Sequence, residues 1–280
     1  MMKKFKIACC QMNVVDDKER NIEHAVELIG AASSNDAQLV TLPEMFNTPY
    51  DNEKFIENAE EEKTSPTLER MCEAAKENSV YLQAGSIAER DDDRIYNTAY
   101  LIDDCGKIIA KHRKVHLFDI DTPTMKFTES DTLSAGDDVT TVETPFATIS
   151  LAICYDIRFN EFWTLLNRNG SDIVLLPGAF NRTTGPLHWE TLIRCRAIDN
   201  QFFVAATSPS QVENPYYVAW GHSMIVDAWG KILAVAKNRE EIIYSELDPE
   251  SIRSVREQIP IIKNRREDIY ETVHKKNMKK

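Results

Sequence analysis

Short apolar runs of strand length alternate along this chain with segments whose apolar residues return every three or four positions. A period near two marks a strand with one buried face, and a period near 3.6 marks a helix that buries one stripe. Helical stripes stand at Ile22, Ala25, Val26 and Ile29, at Phe159, Phe162, Trp163 and Leu166, at Trp189, Leu192, Ile193 and Ala197, and at Ile252, Val255 and Ile259. Strand-length runs such as Leu39-Val40-Thr41-Leu42 and Ile173-Val174-Leu175-Leu176 lie between them. The alternation predicts an α/β protein in which each helical stripe faces a sheet.

The chain also repeats itself once. Ile7 to Cys10 matches Leu151 to Cys154, and Leu39 to Glu44 matches Ile173 to Gly178. Ser79 to Ser86 (SVYLQAGS) matches Gln201 to Ser208 (QFFVAATS), and Asn97 to Lys107 (NTAYLIDDCGK) matches Gly221 to Lys231 (GHSMIVDAWGK). One such match among hydrophobic strands would carry little; four in the same order predict two related halves. The expected architecture is two sheets packed face to face with helices outside each, a helix-sheet-sheet-helix unit with approximate two-fold symmetry. No Pro/Gly/Ser linker divides the halves, so residues 1–280 read as a single domain. The acidic runs Glu60-Glu61-Glu62 and Asp91-Asp92-Asp93 read as solvated surface, and the basic tail Lys275 to Lys280 as a solvated end.

Composition narrows the partners. Thirty-three Lys and Arg against forty-five Asp and Glu give a net charge of −12, which argues against nucleic acid and anionic membrane surfaces and leaves small molecules or proteins. No apolar run approaches the roughly 20 residues of a membrane span. Lys3 and Lys4 precede an apolar stretch that Lys6 and Gln11 interrupt, so no signal peptide is expected. The six cysteines (Cys9, Cys10, Cys72, Cys105, Cys154, Cys195) lack C-x-x-C spacing, and the expectation is reduced thiols in a cytoplasmic protein.

Candidate chemistry gathers where strands end. The repeat breaks its own symmetry at Glu44, whose counterpart is Gly178. Cys154 closes a strand and precedes a helix, at a turn whose backbone N–H groups can hold an oxyanion. A basic cluster, Lys111 to His116, stands out in an acidic chain, and alternation puts His112 and Lys114 on one face. A thiolate attacks, a nearby ammonium favours it, and a carboxylate can shuttle the proton, so Glu, Lys and Cys together make a nucleophilic set. Pairing of Cys154 with His112, His116 or His188 is the competing arrangement. His112 and His116 lack a third metal ligand at suitable spacing, so no metal is expected, and no phosphate-binding glycine loop is present.

Three segments, Leu42-Pro43-Glu44, Arg113 to Asp119 (RKVHLFD) and Ile153-Cys154-Tyr155-Asp156-Ile157-Arg158, together resemble the signatures of the carbon-nitrogen hydrolase (nitrilase) superfamily. The resemblance spans nearly the whole chain. It implies a four-layer αββα sandwich, a Glu44-Lys114-Cys154 triad, and a second glutamate at Glu129 holding Lys114 and the substrate amide. It demotes the Cys-His alternative. Within the superfamily, Pro177 to Glu190 and Tyr217 to Ser223 are most similar to the omega-amidase branch. That likeness implies hydrolysis of the terminal amide of 2-oxoglutaramate or 2-oxosuccinamate through a thioester, with no metal or organic cofactor, in a homodimer. Lys114 and the Tyr155 N–H would hold the oxyanion, and Arg158 would meet a distal carboxylate. Tyr50, Phe118, Phe180 and Thr184 are expected as pocket walls by their place beside the motifs. An N-carbamoyl amine or aliphatic amide hydrolase with the same triad is the enzymatic alternative; a protein that serves only for interaction is the non-enzymatic one.

Overall fold

The computed structural model describes residues 4–122 and 125–275; of the basic tail, Lys276 to Lys280 lie outside the described residues. The first sheet runs, in spatial order, Glu241–Leu247, Phe5–Gln11, Leu39–Thr41, Tyr81–Asp91, Arg94–Ile102 and Ile108–Arg113, with Glu60–Glu61 added beside Tyr81–Asp91. The second runs Thr141–Glu143, Thr148–Leu151, Ile173–Pro177, Phe203–Thr207, Met224–Val226 and Ile232–Val235. From edge to edge both sheets pair antiparallel, parallel, parallel, antiparallel, antiparallel. The repeat is therefore a repeat of topology. Each half also sends its last strand into the other half's sheet, Thr141–Glu143 to the second and Glu241–Leu247 to the first.

Side-chain parity builds the layers. Ile7, Cys9 and Leu39 of one sheet meet Leu151, Ile173, Leu175 and Phe203 of the other in a central apolar layer. Their neighbours Ala8, Cys10 and Val40 point outward onto Ile22, Ala25, Ile29, Leu68 and Met71, from helices Lys18–Ser33 and Pro66–Asn78. Val174, Leu176, Val204 and Ala206 do the same toward Phe162, Trp163, Trp189 and Ile193, from helices Asn160–Arg168 and Gly185–Asn200. This is the αββα sandwich. Thr41 and Thr207, each at the end of a strand in its own sheet, bridge the two sheets with a 2.6 Å hydroxyl hydrogen bond.

The halves agree in their turns as well. In each, an Asp (103, 227) accepts from the N–H groups two and four residues on, and a glycine with positive φ (Gly106, Gly230) completes the hairpin.

Three elements depart from the sequence reading. Helix Pro66–Asn78 carries only a sparse stripe of Leu68, Met71, Ala74 and Ala75; Ser65 caps it through the Leu68 N–H at 3.0 Å, with proline in its first turn. Helix Glu250–Gln258 buries Ile252 and Val255 in the central layer rather than against an outer sheet face. Glu60 is not solvated surface: it is buried, paired with Lys18 and accepting from the hydroxyls of Ser65 and Thr67.

Candidate active site

Glu44 sits on the turn that follows strand Leu39–Thr41. That turn is gripped by an irregularity in strand Tyr81–Asp91 between Gln83 and Ser86. The Ser86 Oγ accepts from the Met45 N–H at 3.0 Å, and the Ser86 carbonyl from the Phe46 N–H at 3.3 Å. Gly85, at φ +51°, passes so close that a Cβ there would lie 2.2 Å from the Pro43 carbonyl oxygen. Irregularities of this kind re-aim a side chain, and here the side chain is Glu44.

Lys114 follows strand Ile108–Arg113, with its N–H on the Asn97 carbonyl (2.8 Å) and its carbonyl accepting from the Gly136 N–H (2.8 Å). Its side chain is fully buried. The ammonium donates to Glu44 Oε1 at 3.0 Å and to the Tyr50 hydroxyl at 3.1 Å, and lies 2.9 Å from Glu129 Oε2. Asn97 Nδ2 donates to Glu44 Oε1 (2.9 Å), the Ala179 N–H to Glu44 Oε2 (2.9 Å), the Tyr50 hydroxyl to Glu129 Oε1 (3.0 Å) and the Phe118 N–H to Glu129 Oε2 (2.6 Å). Each oxygen of the two carboxylates thus has a donor, the condition for keeping charge in a dry interior.

Cys154 opens a short 3₁₀ turn, Cys154–Arg158, in the left-handed region at φ 42°. Such a conformation in a residue with a side chain is strained and recurs at functional turns. The thiol stands beside the Glu44 carboxyl and the Ala179 backbone, both of which bear on its ionisation. Gly178 occupies the position pseudo-equivalent to Glu44, where a Cβ would stand 3.2 Å from Trp189 and 3.4 Å from the Cys154 Cα. One half places a carboxylate at this position; in the other a side chain would crowd the Trp189 ring.

The electrostatics follow from burial and from this crowding of charge. Burial, then the nearby Glu44 charge, push the Cys154 thiol well above its ordinary value, with Lys114 offsetting part of the rise. Burial also lifts the Glu44 carboxyl, against the pull of Lys114 and with the help of Glu129. For Lys114, burial works against the charge, but Glu129 and Glu44 outweigh it and hold the ammonium protonated. The arrangement is a neutral thiol beside a carboxylate placed to accept its proton, with a fixed cation next to both.

The remaining candidates surround this centre. Phe118 meets the Tyr155 ring edge-on at 5.3 Å, and the Arg158 guanidinium lies over the Tyr155 and Phe180 rings at 5.4 and 4.9 Å. Arg158 donates to His188 Nδ1 at 3.3 Å, and among the described residues no Asp or Glu forms an ion pair with it. Its buried Nε has no hydrogen-bond partner. Thr184, just before helix Gly185–Asn200, turns its hydroxyl onto Asn181 Oδ1 at 3.1 Å. A cavity beside Glu44 is lined by Tyr50, Ala179, Tyr217 and Ser210 among others, whereas Arg158, Phe118, Phe180 and Thr184 are not on its wall. His112 and His116 both bind Asp156, and His188 faces the Arg158 guanidinium, so the three histidines weighed as partners of the thiol are engaged elsewhere. Asp103, Asp104 and Cys105 come close enough to share a cation, on a turn that includes none of the candidate residues.

Three residues at the centre escaped the sequence reading: Asn97, Ala179 and Tyr217, whose hydroxyl donates to the Ala179 carbonyl at 2.5 Å. Asn97 carried a usable signal, since its repeat counterpart is Gly221, the same kind of asymmetry that singled out Glu44.

Comparison with known proteins agrees with this geometry. The carbon-nitrogen hydrolase family model matches residues 6–257. Omega-amidase NIT2 of Xenopus tropicalis is 46% identical over 277 residues, covering 99% of this chain and all of that protein. Its Homo sapiens namesake is 44% identical over 276 residues, covering 98% of this chain and all of the human protein. The crystal structure of Saccharomyces cerevisiae Nit3, a member of branch 10 of the nitrilase superfamily, superposes with a TM-score of 0.87 at 41% identity, over 94% of this chain and 97% of that one. With a family match over most of its length, and relatives this similar from end to end, the chain belongs to the carbon-nitrogen hydrolase family.

Proposed function

We propose that this chain is a cysteine-dependent omega-amidase that hydrolyses the terminal amide of 2-oxoglutaramate or 2-oxosuccinamate, with Glu44, Lys114, Cys154 and Glu129 as its catalytic group. The observation that carries the reading is the buried Glu44 carboxylate, held by Lys114, Asn97 and Ala179 beside the Cys154 thiol. Glu44 takes the thiol proton and the thiolate attacks the amide carbon. Lys114 and the Tyr155 N–H, which as a first-turn amide has no acceptor within its own helix, stabilise the oxyanion. As the tetrahedral adduct collapses, the C–N bond breaks and Glu44 protonates the departing ammonia. Water then loses a proton to Glu44 and attacks the thioester; the C–S bond breaks, the carboxylic acid leaves, and Glu44 returns the proton to Cys154.

The same group would serve N-carbamoyl amines and aliphatic amides. Arg158 favours a substrate that carries a carboxylate: it is held over two aromatic rings without an anionic partner of its own. Tyr50 is assigned to the wall of the cavity beside Glu44, and Phe118, Phe180 and Thr184, which do not line that cavity, to its surroundings. Among the described residues no helix is long and apolar enough to cross a membrane. The reading places the enzyme in the cytosol, where the six free cysteines, Cys105 and Cys195 exposed among them, would stay reduced. The reading also takes residues 1–280 as one domain and the assembly as a homodimer.

Arg158→Ala tests the substrate assignment. Loss of a charge-assisted hydrogen bond, about 1.5–3 kcal/mol, should raise KM for 2-oxoglutaramate roughly 10- to 100-fold and leave a small neutral amide nearly unaffected. Equal effects on both amides in steady-state ammonia assays would remove Arg158 from the pocket.

A further inference from the structure

Two residues beyond the nucleophile, Asp156 is completely buried, and its charge is spent within the protein. Oδ1 accepts from the His116 N–H (3.0 Å) and from His116 Nδ1 (2.8 Å). Oδ2 accepts from the Ile153 N–H (3.0 Å) and faces His112 Nε2 at 3.4 Å. His112 and His116 flank Lys114 by two residues on either side, while Ile153 immediately precedes Cys154. The strand end that delivers the ammonium and the turn that delivers the thiol are therefore tied to one carboxylate. We infer that Asp156, acting through His116 and His112, is a positioning residue that sets the alignment of Lys114 with Cys154.

The surroundings support a clamp rather than a loose contact. The His116 ring stacks on Phe159, the residue that ends the nucleophile turn, with centroids 3.7 Å apart and planes 9° from parallel. The Asp156 carbonyl accepts from Trp163 Nε1 at 2.9 Å, and Arg196 Nε donates to the Ile157 carbonyl at 2.8 Å, so the turn is anchored from both outer helices. Burial works against the Asp156 charge, but the hydrogen bonds from His112 and His116 outweigh it and hold its carboxyl well below the usual range. A left-handed φ at Cys154 needs external restraint of this kind, because the strained conformation persists only where its neighbours over-determine it.

The inference rests on the cysteine-amidase reading, and its test separates the two. His116 is partly exposed, so His116→Ala removes one strap while the backbone N–H bond to Asp156 survives; His116→Asn can restore a donor near the Nδ1 position. A misalignment of about 1 Å can cost up to about 100-fold, so kcat on 2-oxoglutaramate should fall at least about tenfold in His116→Ala and about 100-fold in Asp156→Asn. KM should stay within about threefold, since substrate contacts are unchanged. His116→Asn should recover most of the loss. Alkylation of Cys154 by iodoacetamide, followed by mass spectrometry, should slow in the same order, and this readout needs no substrate. If wild type hydrolyses no amide yet alkylation follows the predicted order, the substrate reading falls and the clamp stands. Alkylation within twofold of wild type in His116→Ala, or failure of His116→Asn to recover it, would overturn the clamp.

Discussion

In the proposed mechanism the Glu44 carboxyl has opposite duties: it is ionised to take the Cys154 proton and protonated to release ammonia. Burial and the Glu129 charge raise its value against the pull of Lys114, so the protonated form is easier to reach than in a free glutamate. Activity therefore needs Glu44 ionised in the free enzyme, and the acid limb of kcat/KM should lie above the ordinary glutamate value of about 4.3. Glu129→Gln removes a neighbouring negative charge, so ionising Glu44 becomes easier and the limb should move to lower pH, even though kcat falls. A limb that stays in place or moves up in the pH-rate profile would mean that Glu44 is not the group observed. Glu44, Lys114, Cys154 and Glu129 were legible because each sits in a local motif. Ala179 and Tyr217 were not, because their contacts with Glu44 or with one another join distant strands and loops and leave no local periodicity; Asn97 left only the break in the repeat against Gly221.

Turns, more than helices or strands, decide where the reactive atoms stand. The Glu44 turn depends on Gly85, which combines a left-handed φ with a backbone approach that leaves no space for a methyl group. Gly85→Ala should destabilise the protein by at least about 2 kcal/mol, from the conformational penalty plus the clash, and should depress activity beyond that by displacing Glu44. Urea unfolding together with kcat at full folding would check both; a variant of native stability and rate would contradict this picture of the turn. The strongly periodic helices were readable from spacing alone. Helix Pro66–Asn78 was missed because two of its buried positions are alanines, whose small apolar surface gives a weak stripe, although the Ser65-Pro66 start was itself a helix signal. Glu60 was misread because a run of three glutamates looks solvated, and nothing local indicates that Lys18, Ser65 and Thr67 converge on one of them.

For the molecule as a whole, the repeat was visible as four matched segments, yet the exchange of edge strands was not. Strands Thr141–Glu143 and Glu241–Leu247 have no counterpart among those segments, and nothing in a strand's sequence says which sheet edge it will join. The exchange makes each sheet depend on both halves, and the central layer is shared between them. Residues 1–145 and 146–280 expressed separately should each lack an edge strand, expose one face of the central layer, and fail to give the far-UV circular dichroism of a folded half; a stable, soluble half would contradict that interdependence. The two sheets bring Glu44 and Lys114 from one half against Cys154 from the other, so the proposed chemistry exists only in the assembled sandwich. Its most direct test is ammonia release from 2-oxoglutaramate by wild type and Cys154→Ala side by side. The account predicts turnover by wild type and none above background for the variant; release that survives the substitution would show that Cys154 is not the nucleophile.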